Sequence, residues 1–115
     1  MTRRGQDPVD APPVQLSIGV EPRRDTVRVV PKGELDLMTI DQLRDTLGEL
    51  TDVGFRRIVI DLRGVDFLDS TGLHTLLTTH ALAKRDGWEL AIIPGSPTVQ
   101  RVFELTGTRD QLPFT

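Results

Sequence analysis

Cysteine is absent from this 115-residue chain, and aromatic residues make up only 4% of it. Without cysteine the chain has no disulfides, no thiolate metal ligands and no cysteine nucleophile, and it fits a reducing compartment. Positive charge is not in excess either, since the formal net charge is −3. Nucleic acids and anionic membrane surfaces both select basic protein faces. We therefore expect no direct binding to nucleic acid or to membrane.

Long apolar runs are also missing, because no uninterrupted apolar segment approaches the roughly 20 residues that span a bilayer. Arg3 and Arg4 lie near the start without an apolar segment after them, so we expect no signal peptide and a cytoplasmic location. The length suits one domain. Residues 1–13 have no hydrophobic period and predict a flexible N-terminal arm, which precedes a single domain at residues 14–115.

Two short segments predict an antiparallel hairpin at the start of this domain. Apolar side chains recur at every second position in residues 14–20, which is typical of a half-buried strand. Residues 21–25 predict a turn, and the valine-rich residues 26–30 predict the second strand. Pro31 and Gly33 are expected to end that strand.

Two later segments carry apolar residues at the spacing of an amphipathic helix. The first covers residues 40–50, with Thr39 or Asp41 as its candidate cap and Gly54 just after its end. The second covers residues 70–85 and has an inward stripe of four side chains. These four are Leu73, Leu76, Leu77 and Ala81.

The remaining elements predict a parallel arrangement of strands. Residues 57–62 form a continuous apolar run, which indicates a strand covered on both faces, and residues 63–69 are expected to form a loop. Residues 88–93 predict another strand, residues 99–103 a short helix, and residues 112–114 a weak edge strand interrupted by proline. The order ββαβαβα with a final β predicts an α/β fold, in which helices pack against one mixed sheet of about four or five strands.

Ser70 stands where the second helix begins, after Asp66 and Asp69 in the preceding loop. Unpaired backbone N–H groups and the helix dipole favour an anion at such a position, while neighbouring carboxylates oppose it. Ser70 can therefore be switched between its free and phosphorylated states at moderate energetic cost in either direction. The alternative is ordinary helix capping, for which Ser, Thr and Asp are preferred. In that case Gly72 only lets the helix pack closely on the sheet.

The sequence Asp-Ser-Thr-Gly-Leu at residues 69–73 resembles the phosphorylation motif of the bacterial anti-sigma factor antagonists, which belong to the STAS domain family. Three further elements match family features in the same order. They are Gly-Glu-Leu-Asp at residues 33–36, Gly-Trp-Glu-Leu-Ala-Ile at residues 87–92, and residues 99–107 leading to Leu-Pro-Phe at residues 112–114. The resemblance covers about residues 14–114, nearly the whole chain.

This resemblance implies a protein switch that controls the availability of a sigma factor. The implied partner is both an anti-sigma factor and an ATP-dependent serine kinase. The unphosphorylated antagonist binds this partner and frees the sigma factor; phosphorylation of Ser70 ends the binding, and a separate serine phosphatase restores it. Asp36 matches the family aspartate that lies close to the serine and supports phosphorylation. The other residues expected to support phosphorylation or partner binding are Asp69, Thr71, Gly72, Leu68 and Leu73.

Leu68 and Leu73 flank the motif and serve as apolar anchors for the partner if exposed, or as core if buried. The chain is not expected to be an enzyme, because an unassisted serine hydroxyl is a weak nucleophile and the kinase would supply the base and magnesium. No cofactor or metal ion is expected. Many family members continue into a further helix after the last strand, so the resemblance leaves a monomer or a weak dimer open.

Three alternatives compete with this switch. One is a STAS subunit of another assembly, either a stress-signalling complex or the soluble partner of a lipid transporter. Another is a small serine hydrolase that uses Ser70 and His74, although no nucleophile-elbow motif surrounds the serine. The third is a response-regulator receiver with Asp61 as phosphoacceptor, against which a solvated strand end is the simpler interpretation. His80 is expected to carry no chemistry.

Overall fold

The computed structural model describes residues 15–115. The expected arm at residues 1–13 lies outside this range. In chain order, the elements are β1 (Leu16–Arg23), β2 (Thr26–Leu35), α1 (Ile40–Val53), β3 (Arg57–Asp61), β4 (Val65–Leu68), α2 (Ser70–Asp86), β5 (Glu89–Ile93) and α3 (Pro97–Thr106). A 3-10 turn (Arg109–Gln111) follows α3. Each helix within residues 15–115 is too short or too polar to span a membrane.

Strand β2 lies at the centre of one mixed sheet. It pairs with β1 in antiparallel orientation, with β3 in parallel over residues 26–29, and with β4 in parallel over residues 33–35. Strand β5 pairs in parallel with β3 on the far side. The edge strand expected at residues 112–114 is reduced to one parallel bridge between Phe114 and Ile92. The predicted α/β fold with one mixed sheet and packed helices is confirmed.

The hydrophobic core lies between one face of the sheet and the three helices. Alternate strand residues such as Val27 and Ile60 point into it and are fully buried, as the period of two requires. Phe103 of α3 closes the core and meets Phe114 edge to face, with ring centroids 5.1 Å apart. Both regular strands and helices therefore contribute to one continuous core, which holds the loops at the end of the sheet in place.

The hairpin is longer and tighter than expected. Strand β1 continues to Arg23, and the turn is only two residues, with Arg24 in the left-handed region at φ 60°. The expectation that Pro31 and Gly33 end the second strand is wrong, since β2 continues to Leu35. Pro31 lies in the gap between the stretch paired with β3 and the stretch paired with β4, so its missing N–H breaks neither parallel pairing.

A second correction concerns the loop expected at residues 63–69, which contains strand β4. The pairing of β2 with β4 shifts register between Gly33 and Glu34. Gly33 has φ +118°, a conformation that favours glycine, and its N–H donates to the carbonyl oxygen of Gly64 at 3.0 Å. This bulge gives β2 a second parallel partner after β3 has ended.

The two long helices agree closely with the sequence prediction. Gly54 and Gly87 end α1 and α2 in the left-handed conformation that was expected of stop residues. Thr39 takes the N-cap position of α1, but its hydroxyl donates to a backbone carbonyl of β2 at 2.6 Å and caps no helical N–H. Within the expected inward stripe of α2, Ala81 is exposed, and Ala83 is buried instead.

Candidate functional site

The ends of β2 and β4 lie side by side, because Leu35 and Leu68 are paired in the parallel ladder. Each strand then leads into a helix, through the β2–α1 loop (residues 36–39) and through Asp69. Loops beyond the carboxyl ends of parallel strands are the usual place for ligand and partner sites in α/β sheets. The two sequence motifs at residues 33–36 and 69–73 therefore meet at one edge of the sheet.

Asp69 makes three hydrogen bonds where these two connections meet, and we call this group of bonds the Asp69 clamp. It is the N-cap of α2, and its Oδ1 accepts the N–H of Gly72 at 3.0 Å. Its Oδ2 accepts the N–H of Leu37 in the β2–α1 loop at 3.2 Å. Its own N–H donates to the carbonyl oxygen of Leu35 at 3.2 Å. One half-buried carboxylate thus fixes both the start of α2 and the neighbouring loop.

Asp36 shapes the β2–α1 loop from within. Its Oδ1 accepts the N–H groups of Met38 at 2.9 Å and Thr39 at 3.2 Å. No hydrogen bond links Asp36 to Ser70 in residues 15–115, although the Asp69 clamp holds the loop of Asp36 against the start of α2. The predicted support of phosphorylation by Asp36 stays a prediction.

Ser70 is the first residue of α2 and is exposed. The alternative in which Ser70 serves as the helix cap is wrong, because Asp69 occupies that position. The hydroxyl of Ser70 has no hydrogen-bond partner in the described part of the chain, and neither do the backbone N–H groups of Ser70 and Thr71. These two N–H groups are therefore free to bind anionic oxygens at the positive end of the helix.

Gly72 and the leucines beside the motif are structural. A Cβ on Gly72 would lie 2.8 Å from the carbonyl oxygen of Leu35 and 3.1 Å from Cγ of Leu68, so the predicted close packing of helix on sheet is confirmed. Leu68 and Leu73 are only 4% and 7% exposed. Of the two interpretations of these leucines, burial supports core and removes them as exposed anchors for a partner.

Three other apolar side chains are exposed at this edge of the sheet. They are Leu37 at 72%, Met38 at 80% and Phe67 at 50% exposure. Together with Ser70 they form what we call the switch surface. Sequence reasoning missed them, although the Leu37-Met38 pair lies before the first apolar position of α1 and belongs to no helical stripe. Exposed clustered apolar residues mark interaction sites more often than isolated ones do.

The alternatives built on other residues lose support in this geometry. His74 is exposed and lines the same open depression as Ser70, but within residues 15–115 no hydrogen bond joins the two side chains and no carboxylate orients the imidazole. His80 is partly buried, its Nδ1 has no partner among the described residues, and burial followed by the charge of Lys84 lowers its pKa.

Asp61 is not the solvated strand end that the sequence indicated. It is only 3% exposed, and its Oδ2 accepts bonds from Arg63 at 2.8 Å and Arg28 at 3.1 Å. The hydrogen bond from Arg63 outweighs desolvation and lowers the pKa of the carboxyl. The acid therefore serves as a buried ion-pair centre, on the sheet face opposite the helices.

Comparisons with known proteins show which proteins this chain is similar to. A family model described as the STAS domain matches residues 18–115. The chain is 36% identical over 78 residues to an anti-sigma-B factor antagonist of Staphylococcus aureus, covering 68% of this chain and 72% of that protein. It is 31% identical over 102 residues to an anti-sigma F factor antagonist of Paenibacillus polymyxa, covering 88% and 87%. An anti-sigma factor antagonist from Mycobacterium paratuberculosis has the same fold, with a TM-score of 0.75, 27% identity and coverage of 86% and 84%.

Proposed function

The chain belongs to the STAS domain family, and from that premise we propose that it is an anti-sigma factor antagonist. In this function it is a regulatory binding protein and not an enzyme. Its unphosphorylated form binds an anti-sigma factor that is also a serine kinase, and so frees the sigma factor. Phosphorylation of Ser70 ends the binding, and a serine phosphatase restores it. An ATP-dependent partner places this cycle in the cytoplasm.

The observation that carries this proposal is an exposed serine with no structural task, at an edge of the sheet that also exposes apolar side chains. Its neighbours Asp69 and Gly72 have clear structural roles, as cap and as packing residue. The hydroxyl of Ser70 supports nothing within the described residues. Leu37, Met38 and Phe67 expose apolar area at this edge of the sheet, and Ser70 itself lines an open depression. Such a surface suits a protein partner better than a small substrate.

The start of α2 also suits a phosphate that the chain stabilises locally and that repels the partner. The free N–H groups of Ser70 and Thr71 and the helix dipole stabilise the added anion locally. The phosphate brings about −1.5 to −2 charges beside the carboxylates of Asp36 and Asp69. Against an acidic surface of the partner that faces Ser70, a like-charge pair about 6 Å apart costs about 3 kcal/mol at an effective dielectric of 20, and half of that weakens binding about tenfold.

The described residues around Ser70 do not support chemistry by the chain itself. No general base contacts the hydroxyl, since His74 is exposed and makes no bond to it. The base and magnesium would then come from the kinase, as in protein kinases generally. Ser70 in this proposal is the substrate of the partner.

The decisive experiment is intact-mass spectrometry after incubation with ATP, magnesium and candidate anti-sigma kinases from the same genome. The wild type is expected to gain one phosphate and Ser70→Ala none. Thr71→Ala is the matched control and should gain one phosphate like the wild type. The absence of phosphate on the wild type, with kinases shown to be active on another substrate, would overturn the switch and favour a STAS subunit of another assembly.

A further inference from the structure

A groove of about 390 Å³ lies between α1 and α2. Its floor is apolar and is formed mainly by Leu47, Leu82 and Trp88. Threonine side chains of both helices form much of the remaining wall. The volume lies within the range of small-molecule sites, and the mixture of apolar floor and few polar groups is typical of them.

Gly48 holds this groove open at its middle. It lies inside α1, where glycine weakens a helix relative to alanine. No packing demand explains it, because a Cβ at this position would meet no atom within 4 Å. The missing side chain instead leaves space along the groove wall. Because Gly48 has no side chain, a bound molecule can approach the apolar floor of the groove more closely.

One arginine, Arg44, lies at one end of the groove. Nη2 of Arg44 donates to the hydroxyl of Thr75 at 3.2 Å, which holds the guanidinium over the groove. Its ion pair with Asp41 is long, at 3.5 Å, and both side chains are about half exposed or more. The guanidinium therefore retains donors for an external anion. His74 lines both this end and the depression of Ser70, one helical turn away.

We propose that the groove binds a small amphipathic carboxylate. Its carboxylate contacts Arg44, and its hydrocarbon chain lies over Gly48 towards Leu47 and Trp88. The charge of Arg44 selects an anionic head group, and the apolar floor selects a chain over a polar metabolite. The ligand's head group then lies beside the start of α2. This site is independent of the proposed phosphorylation, because binding requires only the chain itself.

Trp88 is the single tryptophan of the chain and reports on the groove directly. Titration with sodium decanoate, below its micellar concentration, is expected to change Trp88 fluorescence in a saturable way, with calorimetry as the second readout. Octanoate should bind roughly 15-fold more weakly, since it lacks two methylenes and each lost methylene reduces affinity about fourfold. Decanol of the same chain length should bind about tenfold more weakly than decanoate, because it cannot pair with Arg44.

Two pairs of variants separate this site from unspecific adsorption. Arg44→Gln should weaken decanoate about tenfold, whereas Arg101→Gln, at an exposed position of α3, should not. Gly48→Met should fill the groove and abolish binding, whereas Gly48→Ala should retain most of it; circular dichroism verifies that both fold. Equal binding of decanol and decanoate, or equal behaviour of the two arginine variants, would refute the carboxylate site. Unchanged binding by Gly48→Met would place the ligand elsewhere.

Discussion

The Asp69 clamp predicts an unusually large effect for a partly exposed side chain. Asp69→Ala removes the N-cap bond to Gly72, and loss of such a cap costs about 1 kcal/mol. It also removes the bond to Leu37, worth about 1 kcal/mol net, since that exposed N–H can turn to water. The expected loss in the free energy of unfolding is therefore about 2 kcal/mol. At a urea m-value of about 2 kcal/mol/M, the midpoint falls by about 1 M.

Asp69→Asn tests whether both carboxylate oxygens matter. The amide keeps one oxygen acceptor, and its NH₂ group cannot accept a backbone N–H. Asparagine is as good an N-cap as aspartate. The variant is therefore expected to keep one of the two bonds and to lose about half as much stability as Asp69→Ala. Hydrogen exchange at the amides of Leu37 and Gly72 identifies the bond that is lost.

Ser96 provides the matched control for this prediction. It is the N-cap of α3 and accepts a single bond, from the N–H of Val99 at 3.3 Å. Ser96→Ala should cost only the ordinary capping energy of about 1 kcal/mol. If Asp69→Ala costs no more than Ser96→Ala, and if exchange at Leu37 stays as slow as in the wild type, the clamp does not hold the β2–α1 loop.

Three further predictions test packing, charge and the surface. Gly72→Ala should destabilise the fold by about 1–3 kcal/mol, because its Cβ would lie 2.8 Å from a backbone carbonyl of β2. Gly48→Ala, with open space around its Cβ, should stabilise α1 by about 0.5–1 kcal/mol. Equal effects of Gly72→Ala and Gly48→Ala in urea unfolding would contradict the packing argument. The pKa of Asp61 is lowered in the folded state, so its stabilisation is complete above about pH 4 and is lost as the pH falls through the folded pKa. Urea midpoints should therefore fall more steeply below about pH 4 in the wild type than in Asp61→Asn. Parallel profiles of the two proteins would argue against the buried ion pair. Phe67→Ser should cost about 1 kcal/mol of stability, because half of its side chain is buried, and should weaken binding of the kinase partner about tenfold in calorimetry. The control Val53→Ser, at a more exposed position, should leave that affinity unchanged, and similar affinities for both would remove Phe67 from the interface.

The helices were predictable from the sequence because their signals are local. Apolar residues at helical spacing, followed by Gly54 and Gly87, place α1 and α2 to within a few residues. Strand β4 was not predictable in this way. Its two end residues are buried and its two middle residues are exposed, so it has no period of two. Its pairing depends on the bulge at Gly33, which lies about thirty residues earlier in the chain.

The candidate site was predictable in position but not in detail. The start of a helix at Ser70 and the close packing at Gly72 follow from local sequence. Exposure of Leu37 and burial of Leu68 do not, because each depends on contacts between segments distant in sequence. The bond that orients Leu37 comes from Asp69, 32 residues later. No local pattern of hydrophobic residues contains that information.

The two sequence motifs, at residues 33–36 and 69–73, form one structural unit, and Ser70 is the motif residue that this unit does not explain. The carbonyl oxygen of Leu35, in the first motif, accepts the N–H of Asp69 and lies against Gly72, both in the second. Aspartate is needed there as a cap, and glycine is needed for the close approach. Packing and hydrogen bonding thus account for these motif positions without any partner. Neither accounts for Ser70, which exposes an unbonded hydroxyl beside two free backbone N–H groups. The fold makes no use of this hydroxyl, so under the proposed function the loss of Ser70 should abolish the switch and leave the fold intact.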